Sequence, residues 1–279
     1  MFITHTTIAI LSAFFAAIAT ILARPLLKQI KSQEILGINF LTMTAVLLLL
    51  SPLFYFFNAT LLSFGLLIII SLIDTVGNYY YFKTFEQTDA SAAAPMLSLS
   101  PVFTFLFSWI FLQETSGIGT YIIAILIIFA IILLTADFKN LQQTKTATII
   151  PALISTILFG ISAIPAKFLL NNLHAINAPT LYMFRAGFIS LLALLLFGFN
   201  ITTISIKQYR LIFVRSLFVI AQWILLYYAI SSGNTGVSVT LANITPAFVF
   251  ILAIIFLKEK ITWKKASAAI IILLLSLVI

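Results

Sequence analysis

There is no cysteine among the 279 residues, so neither disulfides nor thiol chemistry act in this chain, and cysteine usage leaves the redox compartment open. Histidine is nearly as scarce: His5 and His174 stand far apart and alone, which does not make a metal centre of the familiar kinds. Only seven residues are acidic, most of them near the ends of apolar runs, and that leaves little for hydrolytic acid–base work. A glycine-rich phosphate loop, a helical histidine pair around a glutamate and a nucleophile elbow are all missing. These absences argue against an enzyme and give no reason to expect a cofactor.

Charge is scarce as well. Charged residues make up 8% of the chain and hydrophobic ones 62%, with a mean hydropathy of +1.20, whereas soluble domains carry roughly 25% charge. Apolar runs of about 20 residues, each long enough to cross the hydrocarbon as a helix, recur from one end of the sequence to the other. The short alternating segments of a β-barrel are not seen. The first run has no basic lead-in and no small-residue cleavage site before Arg24, so it reads as a retained spanning helix rather than a signal peptide, and no soluble domain is expected. The net charge of +8 comes from basic residues set singly in short connections. That pattern anchors loops at a membrane surface and does not form a nucleic-acid patch.

The runs divide into ten helices, near 5–28, 34–57, 60–83, 89–112, 117–136, 148–171, 177–199, 207–231, 235–257 and 262–279. Asp89, Asn177 followed by Pro179, and the Gly233-Asn234-Thr235 run read as helix starts. The expected organisation is a five-helix unit over 1–136, a polar linker over 137–147 and a second five-helix unit over 148–279. Two stretches tie the units together. Ala90 to Glu114 reads ASAAAPMLSLSPVFTFLFSWIFLQE and Thr235 to Glu259 reads TGVSVTLANITPAFVFILAIIFLKE, sharing Pro101/Pro246, Phe103/Phe248, Phe105/Phe250 and Glu114/Glu259 without a gap. Ser12 likewise falls on Ser155, and Arg24 on Lys167. An element repeated after five crossings enters the membrane from the opposite side, so the repeats are inverted and related by a pseudo-two-fold axis in the membrane plane. All Lys and Arg except Lys167 and Arg185 lie in or beside the odd-numbered connections, which puts those connections in the cytoplasm and both termini outside.

Polar residues inside the helices are the main functional clue, because an ionisable group at membrane depth costs several kcal/mol unless it is paired or faces water. Asp74, Asn78 and Tyr81 share one face of the third helix; they form either a substrate or proton site, or a structural pairing with an arginine of a neighbouring helix. Arg185 in the seventh helix is deep, whereas Arg215 in the eighth sits a turn or two in and reads as snorkelling to the interface. Arg24 and Lys167 are pseudo-symmetric cations beside Pro25 and Pro165; they either flank a cavity or reach headgroups. Pro101 and Pro246 fall in mid-helix, where a proline frees a carbonyl one turn earlier, and Ser98 and Asn243 match in polarity three residues before them. That pair is either a midplane site at a helix crossing or simple close packing. Glu114 and Glu259 read as charges favouring the helix that follows each of them. Gln222, Trp223, Tyr227 and Phe103 either line a pocket for an amphipathic solute or sit at the interface.

The doubled pattern of a small-residue run, a proline followed by an aromatic, and an apolar stretch closing in Phe111–Glu114 and Phe256–Glu259 resembles the EamA-type transporters of the drug/metabolite transporter superfamily. The resemblance covers the whole chain. It implies an all-α integral membrane fold of ten transmembrane helices in two inverted repeats, and a secondary transporter with a central cavity lined mainly by helices 1, 3, 4, 6, 8 and 9. It also implies basic residues late in helices 1 and 6, where Arg24 and Lys167 stand. Bacterial members usually look N-inside, so the charge bias of this chain departs from them. The expected function is alternating-access transport of a small organic metabolite, such as an amino acid or an amphipathic drug-like solute, driven by its own gradient or by protons across a bacterial inner membrane. A sugar-phosphate or nucleotide-type anion carrier and a non-transporting membrane scaffold are the alternatives. Arg24, Lys167 and Arg185 would draw an anionic or zwitterionic group, Asp74 an amine or proton, and Trp223 and Tyr227 the apolar parts of the solute.

Overall fold

A computed structural model describes residues 4–27, 29–87, 96–136, 146–198, 204–257 and 262–279. Apolar segments in hydrocarbon must satisfy their backbone hydrogen bonds internally, and helices do so without partners. The helices are α1 (His5–Leu27), α2 (Ser32–Leu50), α3 (Leu61–Gln87), α4 (Ser100–Phe107, continued by a wider turn over Ser108–Leu112), α5 (Ile118–Thr135), α6 (Thr146–Lys167, continued over Phe168–Asn172), α7 (Ala178–Phe197), α8 (Ile206–Ser232), α9 (Thr235–Ala242), α10 (Thr245–Leu257) and α11 (Trp263–Ser276). Among the described residues eight segments are long and apolar enough to span a bilayer; α9 and α10 together are one of these, the ninth crossing. Among the described residues the only β pairing is a bridge between Phe57 and Ile176.

Expected starts at Asn177 and Asn234 hold: their side chains accept the backbone N–H of Thr180 at 3.0 Å and of Val237 at 3.1 Å. Ser205 and Gln208 add a reciprocal capping box at the start of α8. The Asp89 start lies outside the described residues. The second helix is shorter than expected. It ends at Leu50 because Pro52 has no N–H to carry the ladder onward, and Ser51–Leu53 form a single 3₁₀ turn. The third helix runs further than expected, to Gln87.

Both proline helices break rather than merely bend. Ser98–Leu99 and Asn243–Ile244 are turn residues immediately before the segments that carry Pro101 and Pro246. The carbonyls at the breaks find other donors: the Thr245 hydroxyl donates to Ala242 O at 2.8 Å, and the Thr156 hydroxyl of α6 donates to Met96 O at 3.2 Å.

The packing follows the pseudo-two-fold. The pair α1 with α8 is mirrored by α6 with α3, the contact of α4 with α6 is mirrored by that of α1 with α9 and α10, and α2 with α7, α5 with α11 and α4 with α9 each pair across the axis. The connections sort into two ends. Asn58 N–H donates to Ala175 O at 2.7 Å, joining the second and sixth connections, while Gln208 reaches Gln29 Oε1 at 3.1 Å, joining the seventh to the first. The larger core lies among α1, α2, α3, α6, α7 and α8, around Leu36, Met43, Leu67, Tyr182 and Ile189. A second, built on Ala13, Ile127, Ile131, Ala247 and Ile272, joins α5 and α11 to α1 and α10.

Helix α4 approaches α6 closely at Gly160, where a Cβ would lie 2.5 Å from Phe103 Cβ and 3.2 Å from two backbone atoms. Backbone cannot retreat as a flexible side-chain tip can. Gly160→Ala is therefore expected to lower the thermal unfolding midpoint of the purified protein by the equivalent of about 1–3 kcal/mol. Gly65→Ala, in α3 with nothing within 4 Å, is expected to leave it unchanged or raise it slightly.

Candidate functional site

Helices α3, α7 and α8 bring four of the sequence candidates together. Asp74 and Arg185 are both fully buried, and the Arg185 Nε donates to Asp74 Oδ2 in an ion pair. Of the two arginines on neighbouring helices, Arg185 is the one that Asp74 meets. Trp223 of α8 stacks on the other face of this arrangement, with the guanidinium carbon 3.8 Å from its ring centre. Tyr182 and Tyr227 complete an aromatic surround at 5.8 and 5.9 Å. A planar, weakly hydrated guanidinium gains from such rings where an ammonium would gain less.

The pair is incompletely satisfied. Asp74 Oδ1 and both Nη atoms of Arg185 are buried without a hydrogen-bond partner. In a low-dielectric interior an unfilled charged donor or acceptor costs more than a neutral one. The remaining carboxylate oxygen and the two-pronged donor face the bundle interior, with the Ser162 and Tyr227 side chains beside them. Among the described residues no three His, Asp or Glu side chains gather as a metal site would require.

Other candidates are placed differently. Asn78 is buried, but its amide turns back on its own helix to donate to the Asp74 backbone carbonyl at 2.8 Å. Tyr81 packs edge-on against Phe82 and Phe159. Phe103 stacks on Phe107 along α4. Gln222 offers its backbone carbonyl to the Ser12 hydroxyl at 2.8 Å. Ser98 is buried at the break before α4. Asn243, at the break between α9 and α10, donates to Val239 O at 2.9 Å and reaches Ser100 Oγ of α4 at 3.4 Å. The expected meeting of the two proline helices is therefore present, with Ser100 as the residue that Asn243 touches. The side chain of Arg24 lies outside the described residues, as does Glu259.

Lys167 sits at the end of the bundle that carries the even-numbered connections. Its ammonium donates to Ile230 O at 2.6 Å and Gly233 O at 2.7 Å, capping the end of α8, and pairs with Glu114 at 3.5 Å. Glu114 in turn accepts from Thr235 N–H at 2.8 Å and from the Thr235 hydroxyl at 3.1 Å. The sequence reading gave Glu114 to the helix immediately following it. Gln113 instead adopts a left-handed backbone (φ 55°) that turns the chain back, and the carboxylate serves the start of α9.

Sequence reasoning passes over two participants, Tyr182 and Asn39. Tyr182 lies three residues before Arg185 on the same helical face, a spacing that could have identified it. Asn39 holds Arg215 through a hydrogen bond from Nη1 to its Oδ1, so Arg215 ties α8 to α2 where it had read as a snorkelling residue. Glu114 was seen, but with another role. The cluster charges also break the repeat: positions about 143–145 residues away from Asp74, Arg185 and Arg215 hold Leu217 to Val219, Phe40 to Thr42 and Ile70 to Leu72. Duplication alone does not account for them.

Comparison with known proteins agrees with the doubled motif. The profile of the EamA-like transporter family matches residues 5–136 and again 146–279. An uncharacterized transporter of Archaeoglobus fulgidus is 24% identical over 202 residues, spanning 71% of this chain and 69% of that protein. A solved crystal structure superposes with a TM-score of 0.75 at 13% identity, covering 98% of this chain and 94% of the other, which bears on the fold alone. With ten helices in two inverted repeats and the family profile matched twice, this multi-pass membrane protein belongs to the EamA-like transporter family.

Proposed function

We propose that the protein is an alternating-access secondary transporter of small zwitterionic or amphipathic metabolites, with amino acids as the first class to test, and that Asp74 and Arg185 form its binding element. The observation that carries this is the buried pair with Asp74 Oδ1 and both Arg185 Nη atoms unpartnered. A solute carboxylate would fill the Arg185 fork bidentately, an ammonium would meet Asp74, and Trp223 and Tyr227 would cover the apolar part. Asp74 is also the proposed proton-coupling group. Ser98 and Asn243 belong to the moving breaks beside this path, and no catalytic step is assigned.

The Lys167–Glu114 contact is the gate of one end in this reading, since it ties α4, α6, the end of α8 and the start of α9. The units 1–136 and 148–279, joined through 137–147, rock against each other about it. The Lys and Arg bias supports cytoplasmic odd-numbered connections and external termini, in what we take to be a bacterial inner membrane.

In proteoliposomes loaded with a panel of radiolabelled amino acids and other small metabolites, wild-type protein is expected to give gradient- or pH-driven uptake. Asp74→Asn and Arg185→Gln should each reduce it by at least about tenfold, or 1.4 kcal/mol, and Asp74→Asn should flatten its pH dependence. Unchanged uptake in both variants contradicts the site, and an unchanged pH profile in Asp74→Asn contradicts the proton role.

For the gate, Glu114→Gln and Lys167→Met are each expected to lower thermal stability by about 1–3 kcal/mol. The charge exchange Glu114→Lys with Lys167→Glu should not rescue it. The carbonyls of Ile230 and Gly233 require a donor at 167 and the Thr235 N–H requires an acceptor at 114; full rescue would show that only the charges matter.

A further inference from the structure

Ser12 and Ser155 hold matching positions in the two repeats, 143 residues apart, and both are fully buried. The Ser12 hydroxyl donates to Gln222 O at 2.8 Å and ties α1 to α8. Ser155 belongs to α6, which packs on α3 as α1 packs on α8, yet among the described residues its Oγ has no hydrogen-bond partner. A buried hydroxyl left unpaired is costly. Its own helix has a remedy at hand, because the neighbouring Thr156 donates to Ala152 O, four residues back, at 2.7 Å. Ser155 does not make the equivalent bond.

Ser155 shares a helical stripe with Phe159, one turn on. The Phe159 ring meets that of Tyr81 at 6.0 Å between centroids, and a Cβ on Gly77 would lie 3.2 Å from it, so this stripe faces α3. Shifts of 143 to 145 residues, the registers of the doubled positions, carry Gln222 onto Gly77 to Tyr79. The counterpart of the carbonyl that holds Ser12 therefore stands on α3, beside the stripe that carries Ser155. The bond is made in one repeat and open in the other. The two places also belong to opposite ends of the bundle. Ser12 and Gln222 lie in the halves of α1 and α8 nearer the even-numbered connections, the end that Lys167 and Glu114 tie, whereas Ser155 and Gly77 to Tyr79 lie in the halves of α6 and α3 nearer the odd-numbered ones.

We infer that Ser12 and Ser155 are alternating latches. When the even-numbered end opens, Ser12 leaves Gln222 O, and Ser155 donates to a backbone carbonyl of Gly77 to Tyr79 as the odd-numbered end closes. Inverted repeats reach the opposite-facing state by rocking about a fixed site, and each then takes up the contacts its mate has given up. One bond forms as the other breaks, so each state carries one buried unpaired hydroxyl and the exchange leaves the two balanced. The latch rests on the two-state movement of the transport reading and adds the residues that hold each state.

The test uses the full chain in nanodiscs with no solute added. The cysteine-free sequence admits single reporters, and Ala229→Cys and, separately, Ala9→Cys, both fully buried at the even-numbered end, react with a maleimide only while that end is open. Ser12→Ala should speed labelling about fivefold and Ser155→Ala should slow it about fivefold, the population change that one hydrogen bond commands. The double variant should return close to the parent rate. A merely structural hydroxyl at 155 would, on removal, loosen the bundle and speed labelling or leave it alone, so unchanged or faster labelling in Ser155→Ala overturns the latch. Unchanged or slower labelling in Ser12→Ala does so as well. Uptake measured on the same preparations separates the readings: opposite shifts without uptake of any solute remove the transport reading alone, and uptake with no slowing in Ser155→Ala removes the latch alone.

Discussion

A charge inside a bilayer must find a partner, and this fold is arranged to supply one. The guanidinium of Arg185 and the carboxylate of Asp74 are both removed from solvent. Each would be intolerable without the other: removing one partner of a buried pair costs about 3–5 kcal/mol. The pair therefore fixes α3 against α7, and the stacking of Trp223 on the guanidinium draws α8 onto the same point. The largest core surrounds it. The Ser162 and Tyr227 side chains flank the pair's remaining oxygen and nitrogens.

The repeat supplies the frame and the departures from it supply the chemistry. Five crossings separate each element from its copy, and the packing of α1 on α8, repeated as α6 on α3, carries that symmetry through the interior. The close approach of Gly160 to Phe103 lets the broken helix α4 nest against α6. Asp74, Arg185 and Arg215 have no charged counterparts in the other repeat. A symmetric scaffold with asymmetric charges suits a path whose two ends alternate while its binding groups stay in one place.

Much of this was legible in the residues. Hydropathy, the gapless Pro101/Pro246 motif and the loop charges specify ten inverted helices, and the cost of buried charge singles out Asp74 and Arg185. What was not legible depended on distances between helices. Sequence could offer Asp74 two arginines but could not choose between them, because register across α3, α7 and α8 is set by packing. Tyr182 is marked in the sequence only by its one-turn spacing from Arg185, which the many aromatics of the chain obscure. Glu114 was misassigned because the left-handed Gln113 sends its side chain to a helix more than a hundred residues away. The second helix reads longer in sequence because Leu53 to Phe57 continue its apolar run past the break that Pro52 imposes.

The central claim is that solute binds at the Asp74–Arg185 pair, and Trp223 is its reporter, with the guanidinium carbon 3.8 Å from its ring centre. Trp109 and Trp263 are 58% and 90% exposed, so replacing both with phenylalanine leaves a single tryptophan at the site. Titrating this variant with a transported solute is the direct measurement. The account predicts a saturable change in Trp223 emission that tracks the half-saturation of uptake and is lost in Arg185→Lys. Emission that stays constant through concentrations that saturate uptake would place the solute elsewhere and contradict it.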